Sequence, residues 1–365
     1  MKVSLSREQL LSPLQSVIGV VERRQTMPIL ANVLLVAKNG RLSMTGTDLE
    51  VELVASCEAN VQQAGEITVA GRKLLDIVRT LPEKAAVTLA REGERTVLRA
   101  GRSRFTLASL AAAEFPLIED IGAKQTLRVS RHDARRLIDK TYFSMAQQDV
   151  RYYLNGTLLE CDGQLLRAVA TDGHRLSLAE CPLLEAVKNK QQVIMPRKGV
   201  MELQRLLVGD GELELSIGTN HVRAQIGDVR FTSKLIDGKF PEYGRVVPAQ
   251  PPCVMTSAKD DFRAALQRIA ILSNEKYRGV RLTFGANSLT IQAQNPDHEE
   301  AEEQMEVTYS GAAIEIGFNV NYLLDALAAI DVDTMEMGLT DGNSSCLIRA
   351  PGDLSAKFVV MPMRL

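Results

Sequence analysis

The residues with the most obvious chemical potential in this 365-residue chain are Asp172-Gly173-His174, a turn that sets a carboxylate beside an imidazole. Such a pair suggests acid–base work or a metal ligand. Neighbours in one tight turn are poorly aimed at each other's reacting atoms, however, and the rest of the chain supplies no support. Its four histidines (His132, His174, His221, His298) form no His-x-x-x-His. Its five cysteines (Cys57, Cys161, Cys181, Cys253, Cys346) form no Cys-x-x-Cys. No glycine-rich phosphate loop and no nucleophile elbow is present. The odd, scattered cysteines read as reduced, mostly buried thiols of a cytoplasmic protein. No metal and no cofactor is expected. An enzyme built on Asp172 and His174 stays as a rival reading; turnover lost in a folded His174→Ala protein would favour it.

The remaining chemistry is that of contact. Basic side chains recur on helical stretches: Arg23 and Arg24; Arg72, Lys73 and Arg79; Arg131, Arg135, Arg136 and Lys140; Arg197, Lys198 and Arg205; Arg263 and Arg268. A solvated helix face accounts for any one of these. A repeated set aimed one way suits a loosely held polyanion. The net charge of −2 is unevenly spread: +1 over residues 1–120, +4 over 121–245 and −7 over 246–365. Asymmetry of this kind can steer one surface onto another.

The elements that position these groups come in threes. Capped helices are expected at Ser6-x-x-Gln9, Ser130-x-x-Asp133 and Ser257-x-x-Asp260. Hairpin turns are expected at Asn39-Gly40, Asp162-Gly163 and, less clearly, Ala286-Asn287. Thr47, Thr171 and Asn295 end the strand after each turn, a step of 124 residues taken twice. A period this long repeats a whole domain. The first copy reads as a helix from Ser6, strands 32–37, 41–46, 51–57 and 66–69, a helix 72–79, and strands 87–91, 96–100 and 104–107. Phe115-Pro116 closes that copy as Phe240-Pro241 closes the next. The fold class is therefore α+β, two helices on antiparallel sheets, with domains at 1–120, 121–245 and 246–365. No apolar run reaches membrane-spanning length, and charges near the N-terminus leave no secretory leader.

Three stretches make the pattern specific: Thr171-Asp172-Gly173-His174-Arg175-Leu176, Gln148-Asp149-Val150-Arg151-Tyr152-Tyr153-Leu154-Asn155-Gly156, and Val359-Val360-Met361-Pro362-Met363-Arg364-Leu365. With the three-copy layout they closely resemble the bacterial DNA polymerase III beta subunit family, the sliding clamps, from Met1 to Leu365. The resemblance implies a head-to-tail homodimer of six equivalent domains closed around duplex DNA. It implies a processivity factor without catalysis of its own, filed with its polymerase among the nucleotidyltransferases. By similarity Arg24, Arg72, Gln148, Tyr152 and Tyr153 approach double-stranded DNA or a primer–template junction without reading sequence. Apart from the resemblance, strand alternation offers an alternative in which at least one of the two rings is buried and structural only.

The resemblance further implies a shared groove for the polymerase III core, the clamp loader, other polymerases, ligase and mismatch-repair proteins. Its residues would be Leu154, Thr171, Gly173, His174, Arg175, Leu176, Pro241, Arg245, Val246, Val359, Val360, Met361, Pro362, Met363 and Arg364, an adaptable Met- and Leu-lined slot with Arg and His at its rim. At the subunit joint, Lys73, Arg95, Arg102, Arg104, Phe105 and Leu107 of one copy would face Ile271, Leu272, Glu299, Glu300, Glu302 and Glu303 of the other. A clamp specialised for an accessory role would show departures at the groove positions, and none is seen.

Overall fold

The computed structural model describes residues 1–21, 27–118 and 120–364. The first repeat runs β1 (Lys2–Ser6), α1 (Arg7–Val17), β2 (Asn32–Lys38), β3 (Arg41–Thr47), β4 (Val51–Glu58), β5 (Asn60–Gln63), β6 (Gly65–Ala70), α2 (Gly71–Thr80), β7 (Ala86–Glu92), β8 (Arg95–Ala100) and β9 (Ser103–Ala108). The second runs β10 (Gln125–Ser130), α3 (Arg131–Thr141), β11 (Gly156–Asp162), β12 (Leu165–Thr171), β13 (Arg175–Pro182), β14 (Gln191–Pro196), α4 (Arg197–Leu206), β15 (Glu212–Ile217), β16 (His221–Ile226) and β17 (Val229–Lys234). The third runs β18 (Cys253–Ala258), α5 (Lys259–Ile269), β19 (Gly279–Gly285), β20 (Ser288–Gln294), β21 (Glu300–Glu306), β22 (Thr308–Ser310), β23 (Ile314–Asn319), α6 (Val320–Ala328), β24 (Thr334–Leu339), β25 (Cys346–Arg349) and β26 (Ala356–Val360).

Local chemistry sets most of these boundaries. Ser6 and Gln9 close a reciprocal capping box at α1, whose Leu10, Leu14 and Val17 are buried. Ser130 Oγ accepts from the Asp133 amide at 3.0 Å. The third expected cap is wrong. Ser257 stays in the ladder because β18 pairs with β24 as far as Ala258 and Thr334. Ala258 precedes α5 without a side-chain cap. Asn39 and Gly40 both adopt positive φ, as the two-residue hairpin between β2 and β3 requires. Strands β1 and β5 escaped the sequence reading.

Contacts sort the chain into two compact units. The first is Met1–Ala134 with Leu183–Glu185 and Lys198–Leu235; the second is Arg135–Pro182 with Ala186–Arg197 and Ile236–Leu365. In the first unit, one sheet is ordered β5-β1-β7-β8-β9 and an eight-stranded sheet is ordered β10-β15-β16-β17-β4-β3-β2-β6. The join in that sheet is β17 on β4, antiparallel, with Phe231 opposite Leu53 and Thr232 opposite Glu52. In the second unit, a nine-stranded sheet is ordered β14-β11-β12-β13-β26-β25-β24-β18-β22, beside a sheet ordered β21-β20-β19-β23. Its join is β26 on β13, with Phe358 opposite Ser177 and Val359 opposite Leu176. The two joins share one register: β17 is the counterpart of β26, and β4 of β13.

Strand pairing also corrects the repeat step. Asn32, Gly156 and Gly279 begin equivalent strands, each opposite the residue before the second helix of its copy. The hairpins that follow end at Thr47, Thr171 and Gln294. The third copy is one residue short, so Gln294, not Asn295, is the counterpart of Thr171. The apolar faces of the sheets supply the cores, with Phe231, Phe262, Phe284, Phe318 and Phe358 fully buried.

Candidate functional site

The turn between β12 and β13 is built from its own side chains. Thr171 Oγ1 donates to the Arg175 carbonyl at 2.6 Å and accepts from the Gly173 amide at 3.1 Å. Asp172 Oδ1 accepts from the amides of His174 and Arg175 at 2.9 and 3.0 Å. Asp172 Oδ2 accepts from Arg175 Nε at 3.1 Å. Gly173 has φ +89, and an added Cβ would meet the Arg151 guanidinium at 3.0 Å. Only glycine fits without strain. With its oxygens held this way, Asp172 is placed as a scaffold and not as a base for His174. Among the described residues, no group of three or more His, Cys, Asp or Glu could hold a metal ion.

Arg175 is a clamp. Its guanidinium donates to Asp325 Oδ2 at 2.5 Å and to the Phe143 carbonyl at 2.6 Å, and it lies 4.5 Å from the Tyr322 ring centroid. Three of its five N–H donors are thus engaged within the chain, by Asp172, Asp325 and Phe143, which fixes the guanidinium at the edge of the cleft. Arg151, missed by sequence reading, holds Asp149 through two bonds of 3.0 and 2.8 Å and the Asp172 carbonyl at 3.2 Å. Those bonds from Arg151 hold the Asp149 carboxyl down to about 2.

Beside this turn is a cleft of about 220 Å³, lined by Arg151, Tyr153, Leu154, Thr171, Gly173, Arg175, Leu176, Pro241, Tyr243, Val246, Val359 and Met361. Nine of these were anticipated as groove residues. Tyr153 was assigned to nucleic acid, and Arg151 and Tyr243 were not foreseen. Tyr243 braces one wall by donating to Glu160 Oε1 at 2.7 Å. Glu160 is buried and also takes Arg167 Nη1 at 2.9 Å and Lys190 Nζ at 3.0 Å, with Gln192 on its other oxygen. Burial pushes its carboxyl up, but the bonds from Tyr243, Gln192, Lys190 and Arg167 win and bring it down to about 2. Burial and that carboxylate push the Tyr243 hydroxyl up to about 12. A glutamate inside an otherwise apolar strand was the one sequence signal for this brace.

Other anticipated groove residues lie elsewhere. Val360 belongs to the buried core of the third repeat, because strand alternation turns it away from Val359. His174 is exposed and offers its backbone carbonyl to the Met361 amide at 2.9 Å. Arg245 is exposed and pairs with Glu242 at 3.0 Å. Pro362 is half-buried and outside the cleft lining. Met363 and Arg364 line a separate cleft of about 600 Å³ with Tyr277, Arg281, Gln292 and Glu302.

Among the nucleic-acid candidates, Arg24 and its neighbour Arg23 lie outside the described residues. Gln148 (φ +56) and Val150 are exposed on the loop before β11, as is Tyr152. Tyr152 and Tyr153 occupy a 3-10 turn, not a strand, and stack edge to face at 5.9 Å. Arg72 is half-buried and donates twice to the Val21 carbonyl, at 3.1 and 2.8 Å. Many helix cations have partners in the chain: Arg136 with Asp353, Lys140 with Asp331, Lys198 with Asp48, Arg263 with Asp260. These faces can attract a polyanion only weakly.

Half of the last candidate set lies on two edge strands. β9 is an outer strand of its sheet, and it alternates exposed Arg104, Thr106 and Ala108 with half-buried Phe105 and Leu107. β21 is an outer strand of another sheet, alternating exposed Glu300, Glu302, Gln304 and Glu306 with half-buried Ala301, Glu303 and Met305. Lys73, Arg95, Arg102 and Glu299 are exposed. Ile271 is 76% exposed, and Leu272 beside it is half-buried. Several of these charges have partners in the same chain: Arg104 pairs with Glu92 at 3.1 Å and Glu303 with Arg268, while Glu299, Glu300 and Glu302 accept from the side-chain amides of Asn295, Gln294 and Gln292.

Comparison with known proteins agrees along the whole chain. Residues 1–119, 128–242 and 244–364 match the N-terminal, central and C-terminal domains of the DNA polymerase III beta subunit. The chain is 50% identical to the beta sliding clamp of Pseudomonas putida over 367 residues, covering both proteins in full. It is 51% identical over 368 residues to that of Escherichia coli K12, again covering both in full. The crystal structure of the Pseudomonas aeruginosa DNA polymerase III subunit beta superposes with a TM-score of 0.98 at 49% identity over all of both chains. The Caulobacter crescentus pol III beta superposes at 0.95 with 40% identity over all of both chains.

Proposed function

Because this chain belongs to the DNA polymerase III beta subunit family, the beta sliding clamps, we propose that its two edge strands, its cleft and its exposed loop are the three working surfaces of such a clamp. As a family member it is a DNA sliding clamp, a non-catalytic processivity factor. It forms a homodimeric ring of three-domain subunits that encircles DNA and tethers the polymerase. Its domains are taken as residues 1–120, 121–245 and 246–365. No helix among the described residues is long and apolar enough to cross a membrane. The cytoplasm is the compartment we assign, where a replicating chromosome is reached.

One observation carries the reading of the joint. The strand pair β17 on β4 recurs as β26 on β13, and their remaining counterparts, β9 and β21, have no mate on their outer sides among the described residues. A heterologous pairing of β9 with β21 of a second copy completes the series and closes a ring. The internal register then puts Phe105 opposite Ala301, Arg104 opposite Glu302 and Thr106 opposite Glu300. Phe105 and Leu107 face the side on which Ala301 and Met305 pack, with Ile271 and Leu272 nearby in sequence to the same core. Exposed Arg104 meets exposed carboxylates on the other side.

The cleft bounded by Leu176, Val359 and Met361 receives apolar anchors of short peptide segments from the polymerase and other DNA-processing enzymes. Gln148 and Tyr152 touch DNA lightly, and Arg24 is assigned the same role. Weak contacts suit this task, since a tight grip would stop sliding; enclosure supplies retention. The test is to load the protein on nicked circular DNA and then cut the circle. Release on linearisation is expected, and equal retention on linear fragments with free ends would refute the reading.

A further inference from the structure

The repeat supplies the first joint with the same parts as the second, yet with different side chains. Leu176 and Val359 form the cross-strand pair in the wall of the cleft, and their counterparts in the β17–β4 joint are Glu52 and Thr232. Both are buried. Val169 and Ile194, packed with that wall, correspond to Thr45 and Thr68. The turn is conserved in geometry: Thr47 Oγ1 donates to the Val51 carbonyl at 3.0 Å, and Asp48 Oδ1 accepts from the Glu50 and Val51 amides at 2.9 and 2.7 Å. At the position of Gly173, however, stands Leu49, with φ +76. A leucine in the left-handed region is uncommon and held only by its surroundings.

The polar floor fastens the chain's own connector. Glu52 Oε2 accepts from the Ile118 amide at 2.8 Å, and Thr68 Oγ1 donates to the Leu110 carbonyl at 2.9 Å while accepting from the Leu110 amide at 3.1 Å. Burial pushes the Glu52 carboxyl up, so an apolar ligand would meet a costly polar surface there. In the second unit the matching connector is braced at its side, through Tyr243 and Glu160, and the Leu176–Val359 floor stays open to the cleft. The inter-subunit register proposed above repeats the closed pattern, setting Glu300 opposite Thr106.

We propose that the Glu52–Thr232 pair, together with Leu49, is the specificity determinant that closes the first joint to peptides. The chain thus keeps one peptide site where its repeat would furnish two. This inference rests on the cleft being a peptide groove. The experiment separates the two by stoichiometry, using a fluorescein-labelled, leucine-rich hexapeptide selected for binding to the wild-type dimer. One equivalent per chain, abolished by Leu176→Asp, establishes the groove; no binding to wild type would sink the groove reading itself. The full-length variant Leu49→Gly/Glu52→Leu/Thr232→Val is then expected to bind two equivalents, a twofold rise. With Leu176→Asp added, it is expected to retain one. A folded, dimeric triple variant that still binds one equivalent overturns the proposal. Should the triple variant not fold, Leu49→Gly/Glu52→Gln keeps an acceptor for the Ile118 amide and removes the charge. A photoreactive form of the peptide is expected to label its residues 29–54, and labelling confined to the second joint overturns the proposal.

Discussion

Reversing one charge at the subunit joint tests the register carried over from the internal joints. In that register Arg104 stands directly opposite Glu302 on the exposed side of the ladder. Both side chains are exposed, so the attraction is modest, about 0.5–1 kcal/mol as for other cross-strand or surface pairs. Arg104→Glu replaces it with a repulsion of similar size and also removes the in-chain pair with Glu92. Two such joints close the ring, so the dimer should weaken by about 2–4 kcal/mol, roughly 30- to 900-fold in Kd. Glu302→Arg alone should cost about as much. The double reversal should recover most of the loss, because directly opposite residues couple where distant ones add. Ile271 provides the contrast. It is 76% exposed in the single chain, and burying an isoleucine contributes about 1.5–3 kcal/mol. Ile271→Asp combined with Leu272→Asp should therefore leave a folded monomer. Sedimentation equilibrium at low and high salt, over a dilution series, reads all four proteins. Two results would refute the reasoning: a double reversal no tighter than the summed single effects, or a dimer indifferent to the Ile271/Leu272 change.

Tyr243→Phe removes a bond to a buried carboxylate; such charge-assisted bonds contribute about 1.5–3 kcal/mol. Amides of residues 242–247 should exchange faster and peptide affinity should fall, with the first joint unaffected. The Glu160 carboxyl lies near 2 in the fold against an ordinary 4.5. Its stabilising contribution is thus fully present above about pH 4.5 and fades as pH falls toward 2, as denaturation of wild type against Glu160→Gln would record. Truncation after Val360 should leave β26 on β13 and keep the fold while abolishing polymerase stimulation. Removing Val359 as well deletes a buried strand residue and should unfold the joint, by circular dichroism. Arg72→Ala should lower thermal stability, since the guanidinium is bonded to the Val21 carbonyl in the segment that follows α1, whatever it does to DNA affinity.

What could be read from sequence was whatever backbone geometry dictates locally. Asn39-Gly40 is legible because few residue pairs accept two consecutive positive φ angles, and Ser6-x-x-Gln9 because the box closes within one turn. Ser257 carries the same spacing and fails, since a neighbouring strand in the sheet, β24, claims its backbone first. That competitor, Met335 opposite Ser257, is 78 residues away and leaves no mark near Ser257. The same division runs through the cleft. Gly173 announces itself by type, whereas Arg175 resembles a waiting cation until Asp325, 150 residues on, is brought against it. Tyr243 acquires its role only when folding lays it on Glu160, and the strand that carries Glu160 gives no hint of which hydroxyl arrives.

The deeper regularity lies in how one joint is used three ways. A strand pair with fixed register is a backbone property, so it survives any change of side chain and can be repeated along a chain or between chains. Whether the joint is a seam within the subunit, a seam between subunits or a place for a visiting peptide is then decided by few side chains on its face. Leu and Val leave it apolar and open, whereas Glu and Thr tie down the protein's own connector. On the proposed reading, peptide binding therefore falls to the joint whose floor, Leu176 opposite Val359, is apolar.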